Sequence, residues 1–102
     1  MIIKLSPQRR DDRLTVKKSG DKLTINGKSY DFSKLPDGAT IPTEAHDCEW
    51  IVGGVDRVDG ELRLTLILPH GVKAPESTRF PKPIINPEDG KINLPAYDGG
   101  AK

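Results

Sequence analysis

The sequence predicts an all-β, mainly antiparallel protein: a small sandwich or partly open barrel of about six or seven strands, with an extended Pro-rich C-terminal tail. Three observations support this prediction. Stretches of alternating apolar and polar residues fill residues 1–71, turn signals close these stretches, and five prolines follow residue 71. Alternation is typical of half-buried strands, because successive side chains of a strand point to opposite faces of the sheet.

The first part of the chain divides into strands at its turns. Apolar and polar residues alternate over residues 3–5, which predicts a first strand. This strand is expected to end at Pro7, because proline has no N–H to donate to a sheet. Residues 13–33 predict a three-stranded meander. Its clearest signal is Asn26-Gly27, since both residues tolerate the positive φ angles of a two-residue hairpin turn.

A second hairpin is predicted around Asp59-Gly60. Residues 50–58 alternate toward this turn, and leucines at every second position follow it over residues 62–68. Ile67 interrupts the alternation, as expected where a strand is covered on both faces or approaches an interface. Residues 43–48 show no clear pattern and are predicted as a loop or a short strand.

The change of composition after Gly71 predicts two parts. Residues 1–71 are predicted as an antiparallel β domain, and residues 72–102 as an extended or disordered Pro/Gly-rich tail. Truncation at Gly71 is then expected to leave a folded domain that has lost its partner.

Composition and charge exclude several classes of function. The chain of 102 residues has room for one domain, and its 16 basic and 15 acidic side chains leave no basic field for a nucleic-acid partner. No apolar run approaches the roughly 18 residues that cross a bilayer, so no membrane contact is expected. A single cysteine, Cys48, cannot form an intramolecular disulfide.

No catalytic, metal or cofactor site is predicted. His46, Asp47, Cys48 and Glu49 are potential ligands in a row, yet neighbouring residues of an extended chain point in alternate directions, so at most two converge. The paired carboxylates Asp11 with Asp12 and Asp56 with Asp59 are predicted to form turns and solvated ion pairs with nearby arginines. Trp50 is predicted to be buried, because a chain with few aromatic residues needs its volume in the core.

Apolar residues at two places are the candidates for contact with a partner. One is the end of the predicted central hairpin, and the other is formed by two apolar groups and a tyrosine within the predicted tail. The predicted partner-binding residues are Leu66, Ile67, Leu68, Ile84, Ile85, Ile92, Leu94 and Tyr97.

Four segments resemble small uncharacterised prophage proteins that are encoded among tail genes. They are MIIKLSPQRRDD (1–12), LTING (23–27), FSKLPDGAT (32–40) and DGELRLTLILPHG (59–71). The resemblance covers most of residues 1–71 and carries no catalytic motif. It implies a setting among phage tail proteins, in the bacterial cytoplasm during assembly and with the virion as a further location.

The fold and the resemblance together lead to a functional expectation. We expect a non-enzymatic structural or assembly protein of the phage tail region, which acts through contacts with phage tail proteins or with itself. The alternative is a small carbohydrate- or ligand-binding β module of a phage, with Trp50, Tyr30 or Tyr97 as a stacking platform. A hydrolase that uses His46 or His70 ranks last, because no nucleophile motif accompanies either histidine.

Overall fold

The computed structural model describes residues 1–42, 45, 48–95 and 97. In these residues nine strands form two sheets, and there is one short helix. In chain order the elements are β1 (Ile2–Arg9), β2 (Val16–Ser19), β3 (Lys22–Ile25), β4 (Lys28–Asp31), β5 (Thr40–Ile41), β6 (Val55–Val58), β7 (Glu61–His70), α1 (Glu76–Arg79), β8 (Ile84–Ile85) and β9 (Gly90–Lys91). The prediction for residues 43–48 falls largely outside the described residues, since Thr43, Glu44, His46 and Asp47 are not among them.

The predicted fold class is confirmed. One sheet has five strands in the order β5-β6-β7-β1-β8, and the other has four in the order β4-β3-β2-β9. Neither sheet closes into a barrel, so the architecture is that of a small sandwich. In the described part of the chain, β1 and β7 pair in parallel and the other strand pairs are antiparallel.

The hydrophobic core receives side chains from both sheets. Ile3 of β1 lies beside Leu64 of β7 on the inner face of the five-stranded sheet, and the four-stranded sheet contributes Val16 and Leu23. All four are buried, as the alternation of each strand predicts. Burial of such side chains is the main favourable contribution to folding.

The predicted meander is confirmed, and the Asn26-Gly27 turn explains its register. Asn26 and Gly27 have φ angles of 49° and 85°, which a type I′ turn requires. The side chain of Asn26 contacts the segment that precedes β2: its Oδ1 accepts the Thr15 N–H at 2.7 Å, and its Nδ2 donates to the Arg13 carbonyl at 3.1 Å. Asn26 therefore holds residues 13–15 against the turn.

The first strand is longer than predicted, because Pro7 does not end it. The Arg10 N–H donates to the His70 carbonyl at 3.2 Å, so alternate residues of β1 face β7 and Pro7 faces the other side. On that side β8 pairs only with Ile2 and Ile3. Pro7 therefore occupies a position at which no described strand needs its N–H, and β1 continues to Arg9.

The predicted hairpin around Asp59-Gly60 is also confirmed, as β6 and β7. At the end of β7, Leu66 and Leu68 are buried on one face, and Ile67 and Pro69 are buried on the other. The irregular pattern thus marks a strand that is covered on both faces.

Arg57 of β6 joins the two sheets. Its guanidinium donates to the carbonyl of Leu35 at 2.6 Å, to that of Phe32 at 3.0 Å and to the carboxylate of Asp21 at 3.0 Å. Asp21 lies in the turn between β2 and β3, and Phe32 directly follows β4. The Phe32 N–H donates to the Asp21 carbonyl at 3.0 Å, so the β2–β3 turn and the end of β4 lie side by side at one end of the meander. One side chain, largely shielded from solvent, therefore connects this end of the meander to the five-stranded sheet.

The segment that follows Gly71 differs from the predicted tail in the part that the structure describes. Its strands β8 and β9 join opposite sheets, at β1 and β2 respectively. Ala74, Thr78 and Ile92 are buried. Short, proline-spaced segments such as these have no periodic pattern, so the sequence does not reveal that they complete the core.

We expect Arg57→Lys to lower the free energy of unfolding by about 1.5–3 kcal/mol, because a lysine ammonium cannot span the several acceptors that the guanidinium reaches. Urea denaturation would measure this. Arg63→Lys is the matched control, since Arg63 is exposed on β7. Equal stability of the two variants would contradict the role of Arg57.

Ile92→Ala tests whether the C-terminal segment belongs to the folded core. Ile92 is only 5% exposed, so we expect a loss of about 2–5 kcal/mol. Ile85→Ala is the control, because Ile85 is 64% exposed and its truncation is expected to cost less than about 0.5 kcal/mol. Matching thermal unfolding curves for the two variants would show that Ile92 adds nothing to the core.

Candidate functional site

The structure divides the predicted partner-binding residues into a buried and an exposed group. Leu66, Ile67, Leu68 and Ile92 are buried, whereas Ile84, Leu94 and Tyr97 are partly exposed and Ile85 is exposed. The buried side chains are used within this chain and are not on its surface. The reason is the central position of β7 and the packing of residue 92 against the core.

Two of the partly exposed residues, Ile84 and Leu94, lie in one groove together with Phe80. This Phe80 groove has a volume of about 370 Å³ and is lined by Leu5, Ser77, Phe80, Lys82, Ile84, Asn93, Leu94 and Pro95. The Phe80 side chain is 73% exposed at its rim. The sequence analysis did not identify Phe80 as a contact residue. The signal that could have identified it is an isolated aromatic residue just before a proline within a polar segment.

A second groove lies on the other side of residues 93–95. This Arg13 groove has a volume of about 380 Å³ and runs between residues 13–15 and residues 91–95, with Leu68, Pro69 and Tyr97 completing its lining. Residues 93–95 therefore form a wall that both grooves share.

Tyr97 closes one end of the Arg13 groove. Its hydroxyl donates to the Arg10 carbonyl, and its own carbonyl accepts the Gly71 N–H at 2.8 Å. The Arg13 guanidinium lies 3.7 Å from the centre of the Tyr97 ring, which is a cation–π contact. Tyr97 is thus held against the ends of β1 and β7 by contacts from both its backbone and its side chain.

Trp50 is buried, as predicted, and is 7% exposed. The Arg10 guanidinium lies 4.5 Å from the centre of its ring and makes two hydrogen bonds, at 2.7 and 2.8 Å, to the carboxylate of Asp12. These hydrogen bonds hold the pKa of Asp12 below its usual range and raise the pKa of Arg10. The arginine pairing predicted for Asp12 is confirmed, and Arg10 covers one face of Trp50.

The potential metal ligands do not form a cluster in the described part of the chain. There, no group of three or more His, Cys, Asp or Glu side chains could hold a metal ion. Cys48 is buried, and Nδ1 of His70 lies 2.9 Å from the Gly71 carbonyl. His46 and Asp47 lie outside the described residues.

The other predicted carboxylate pair also has structural contacts. Asp56 accepts a hydrogen bond of 2.6 Å from the Thr40 hydroxyl, between β5 and β6. Asp59 has a φ of 53° in the β6–β7 turn, a conformation that aspartate tolerates better than most residues. Such contacts are typical of turn and edge residues.

Comparison of the chain with protein-family models, with curated proteins and with solved structures gives no match. The helix α1 has four residues, and no helix of the described residues is long and apolar enough to cross a membrane.

We expect the fluorescence emission of Trp50 to be blue-shifted, because apolar side chains and Arg10 surround its ring. Because the ring is buried, we also expect the emission to stay the same when sugars are added. An emission spectrum of the folded protein, titrated with mono- and oligosaccharides, would test this. The same titration of the urea-unfolded chain is the control. Quenching by a sugar in the folded protein alone would show that Trp50 is a stacking platform.

Proposed function

We propose that the protein is a non-enzymatic structural or assembly protein of the tail region of a bacteriophage, and that it acts by contact with other proteins. The resemblance of residues 1–71 to prophage proteins supports the setting. The Phe80 groove supports the mode of action, and it is the single observation on which the proposal chiefly depends.

The Phe80 groove has the chemistry of a protein-contact site. Leu5, Ile84, Leu94 and Pro95 give it an apolar lining, and Phe80 stands exposed beside them. An exposed aromatic ring next to an apolar groove is typical of the central contacts of protein interfaces, in which aromatic side chains contribute much of the binding energy. Covering Phe80 with a partner would remove its apolar surface from water.

Two exposed carboxylates, Asp31 and Asp89, have structural hydrogen bonds. The pKa values of Asp31 and Asp89 are lowered by hydrogen bonds, to Asp31 chiefly from Ser33 and to Asp89 chiefly from Lys18. Both carboxylates are exposed and hold turns or strands together.

The carbohydrate-binding alternative receives less support. Each aromatic residue proposed as a stacking platform has a cation over its ring: Arg10 over Trp50 at 4.5 Å, Arg13 over Tyr97 at 3.7 Å and Lys28 over Tyr30 at 5.5 Å. A sugar that stacks on these faces would first have to displace the cation.

Phe80→Ala tests the proposed function. We expect the tagged wild-type protein to capture a phage tail protein from cells that express the neighbouring phage genes, and we expect Phe80→Ala to reduce capture about tenfold or more, because it removes the exposed aromatic contact. Affinity purification followed by mass identification would measure both. Val58→Ala is the matched control, since Val58 is an exposed apolar residue of β6 that does not line the Phe80 groove.

The full-length chain is the correct starting point for this experiment. A truncation after Gly71 would also remove Ile92 from the core, so loss of capture would not distinguish binding from folding. If the wild-type protein captures no phage tail protein, the proposed phage setting is wrong. If Phe80→Ala captures such a protein as well as Val58→Ala does, the proposed contact surface is wrong.

A further inference from the structure

The Arg13 groove lies where two extended segments separate. The Ile92 N–H donates to the Val16 carbonyl at 2.9 Å, which continues the pairing of β9 with β2 by one residue. Beyond this bond the same register would bring Leu94 opposite Leu14. No backbone hydrogen bond joins these two residues in the described structure, and the groove opens between them.

The backbone of Leu14 faces this groove. Both the N–H and the carbonyl of Thr15 are bonded to Asn26, on the opposite side of the segment. Neighbouring residues of an extended chain alternate their polar groups between the two sides, so those of Leu14 are directed toward residues 92–94. Neither the N–H nor the carbonyl of Leu14 has a hydrogen-bond partner in the described part of the chain.

Unpaired backbone groups beside an apolar floor are suited to an added strand. The floor consists of buried Leu14, Leu68 and Ile92. Backbone N–H and carbonyl groups that face a groove without a partner in the chain can pair with an extended peptide by strand addition. The volume of about 380 Å³ lies within the roughly 300–1,000 Å³ that is typical of ligand sites.

The charges of the groove identify the kind of peptide. Arg13 and Lys91 line it, and the described lining residues include no carboxylate. Lys17 lies directly opposite Lys91 in the pairing of β2 with β9, and like charges in that arrangement repel. By contrast, Arg10, Lys18 and Arg57 each have a carboxylate partner. An incoming carboxylate would relieve the repulsion and would accept hydrogen bonds from the Arg13 guanidinium.

We propose that the Arg13 groove binds an extended, acidic segment of a partner protein, which adds as a short strand between residues 13–15 and residues 93–95 and places carboxylate side chains against Arg13 and Lys91. This inference deepens the proposed function and rests on it for the identity of the partner. It names a second contact surface, separate from the Phe80 groove although it shares residues 93–95.

A peptide fits this groove better than a nucleic acid does. Nucleic-acid sites depend on basic residues that follow a phosphate backbone over a long distance, and the chain as a whole is nearly neutral. The apolar floor and the unpaired backbone groups match the alternating side chains and the amide groups of a strand.

Titration of the full-length protein with a blocked peptide of about six residues, alternating valine with glutamate, tests the proposal. Nuclear magnetic resonance of the 15N-labelled protein would follow it. We expect saturable binding, with the largest amide shifts at residues 14, 15, 93 and 94. The doubly substituted Arg13→Gln, Lys91→Gln protein is expected to bind about tenfold more weakly, because two charged contacts are lost.

A charge-matched control separates a local effect from a change of net charge. The doubly substituted Lys4→Gln, Lys34→Gln protein loses the same charge at exposed positions outside the groove, and it should bind as the wild type does. Circular dichroism would confirm that both variants are folded.

Four results would overturn the proposal: no binding at millimolar peptide, equal binding of a valine–lysine peptide, equal losses in the two double variants, or shifts confined to the Phe80 groove. Binding of an oligothymidylate at residues 13–15 in place of the peptide would overturn it in favour of a nucleic-acid ligand. Capture through Phe80 is measured by affinity purification with the Phe80→Ala variant and not by this titration, so failure of one proposal can be distinguished from failure of the other.

Discussion

The parallel pairing of β1 with β7 is the constraint on which the rest of the fold depends. Parallel neighbours cannot be joined by a tight turn, so the chain must leave the sheet after Arg9 and return before Glu61. The intervening residues form the meander of the second sheet and then re-enter the first sheet through β5 and β6. The register of this one pair brings Ile3 and Leu64 together and thereby sets the inner face against which the meander packs.

Contacts from distant parts of the sequence then fix how the two sheets meet. The Arg57 guanidinium joins β6 to the end of the meander at which Asp21 and Phe32 lie side by side. In the second sheet, Asp89 accepts hydrogen bonds from Lys18 of β2 at 2.8 Å and from the Gly20 N–H of the β2–β3 turn at 3.0 Å, which holds the residue before β9 against this hairpin. The C-terminal segment thus links one sheet to the other, and its short strands cover the edges of both β1 and β2.

This arrangement also produces the two candidate surfaces. Residues 93–95 leave the second sheet after Ile92 and cross toward Tyr97 at the end of the first sheet, so they have a groove on either side. The Phe80 groove is apolar with an exposed aromatic rim, whereas the Arg13 groove combines an apolar floor with basic side chains. A protein that acts by contact can use the two for partners of different chemistry, since the first favours apolar anchors and the second favours carboxylates.

The elements with local signals could be predicted from the amino-acid sequence. Alternation and turn chemistry were sufficient for the meander, for the Asn26-Gly27 turn and for the β6–β7 hairpin, because each depends on residues close together in the chain. Only the tertiary structure decided the continuation of β1 past Pro7, the burial of Ile92 and the exposure of Phe80. Each of these depends on which segment lies alongside, and pairing between residues far apart in the chain leaves no periodic signal in either partner. The candidate grooves belong to this second group, because their walls come from residues separated by most of the length of the chain.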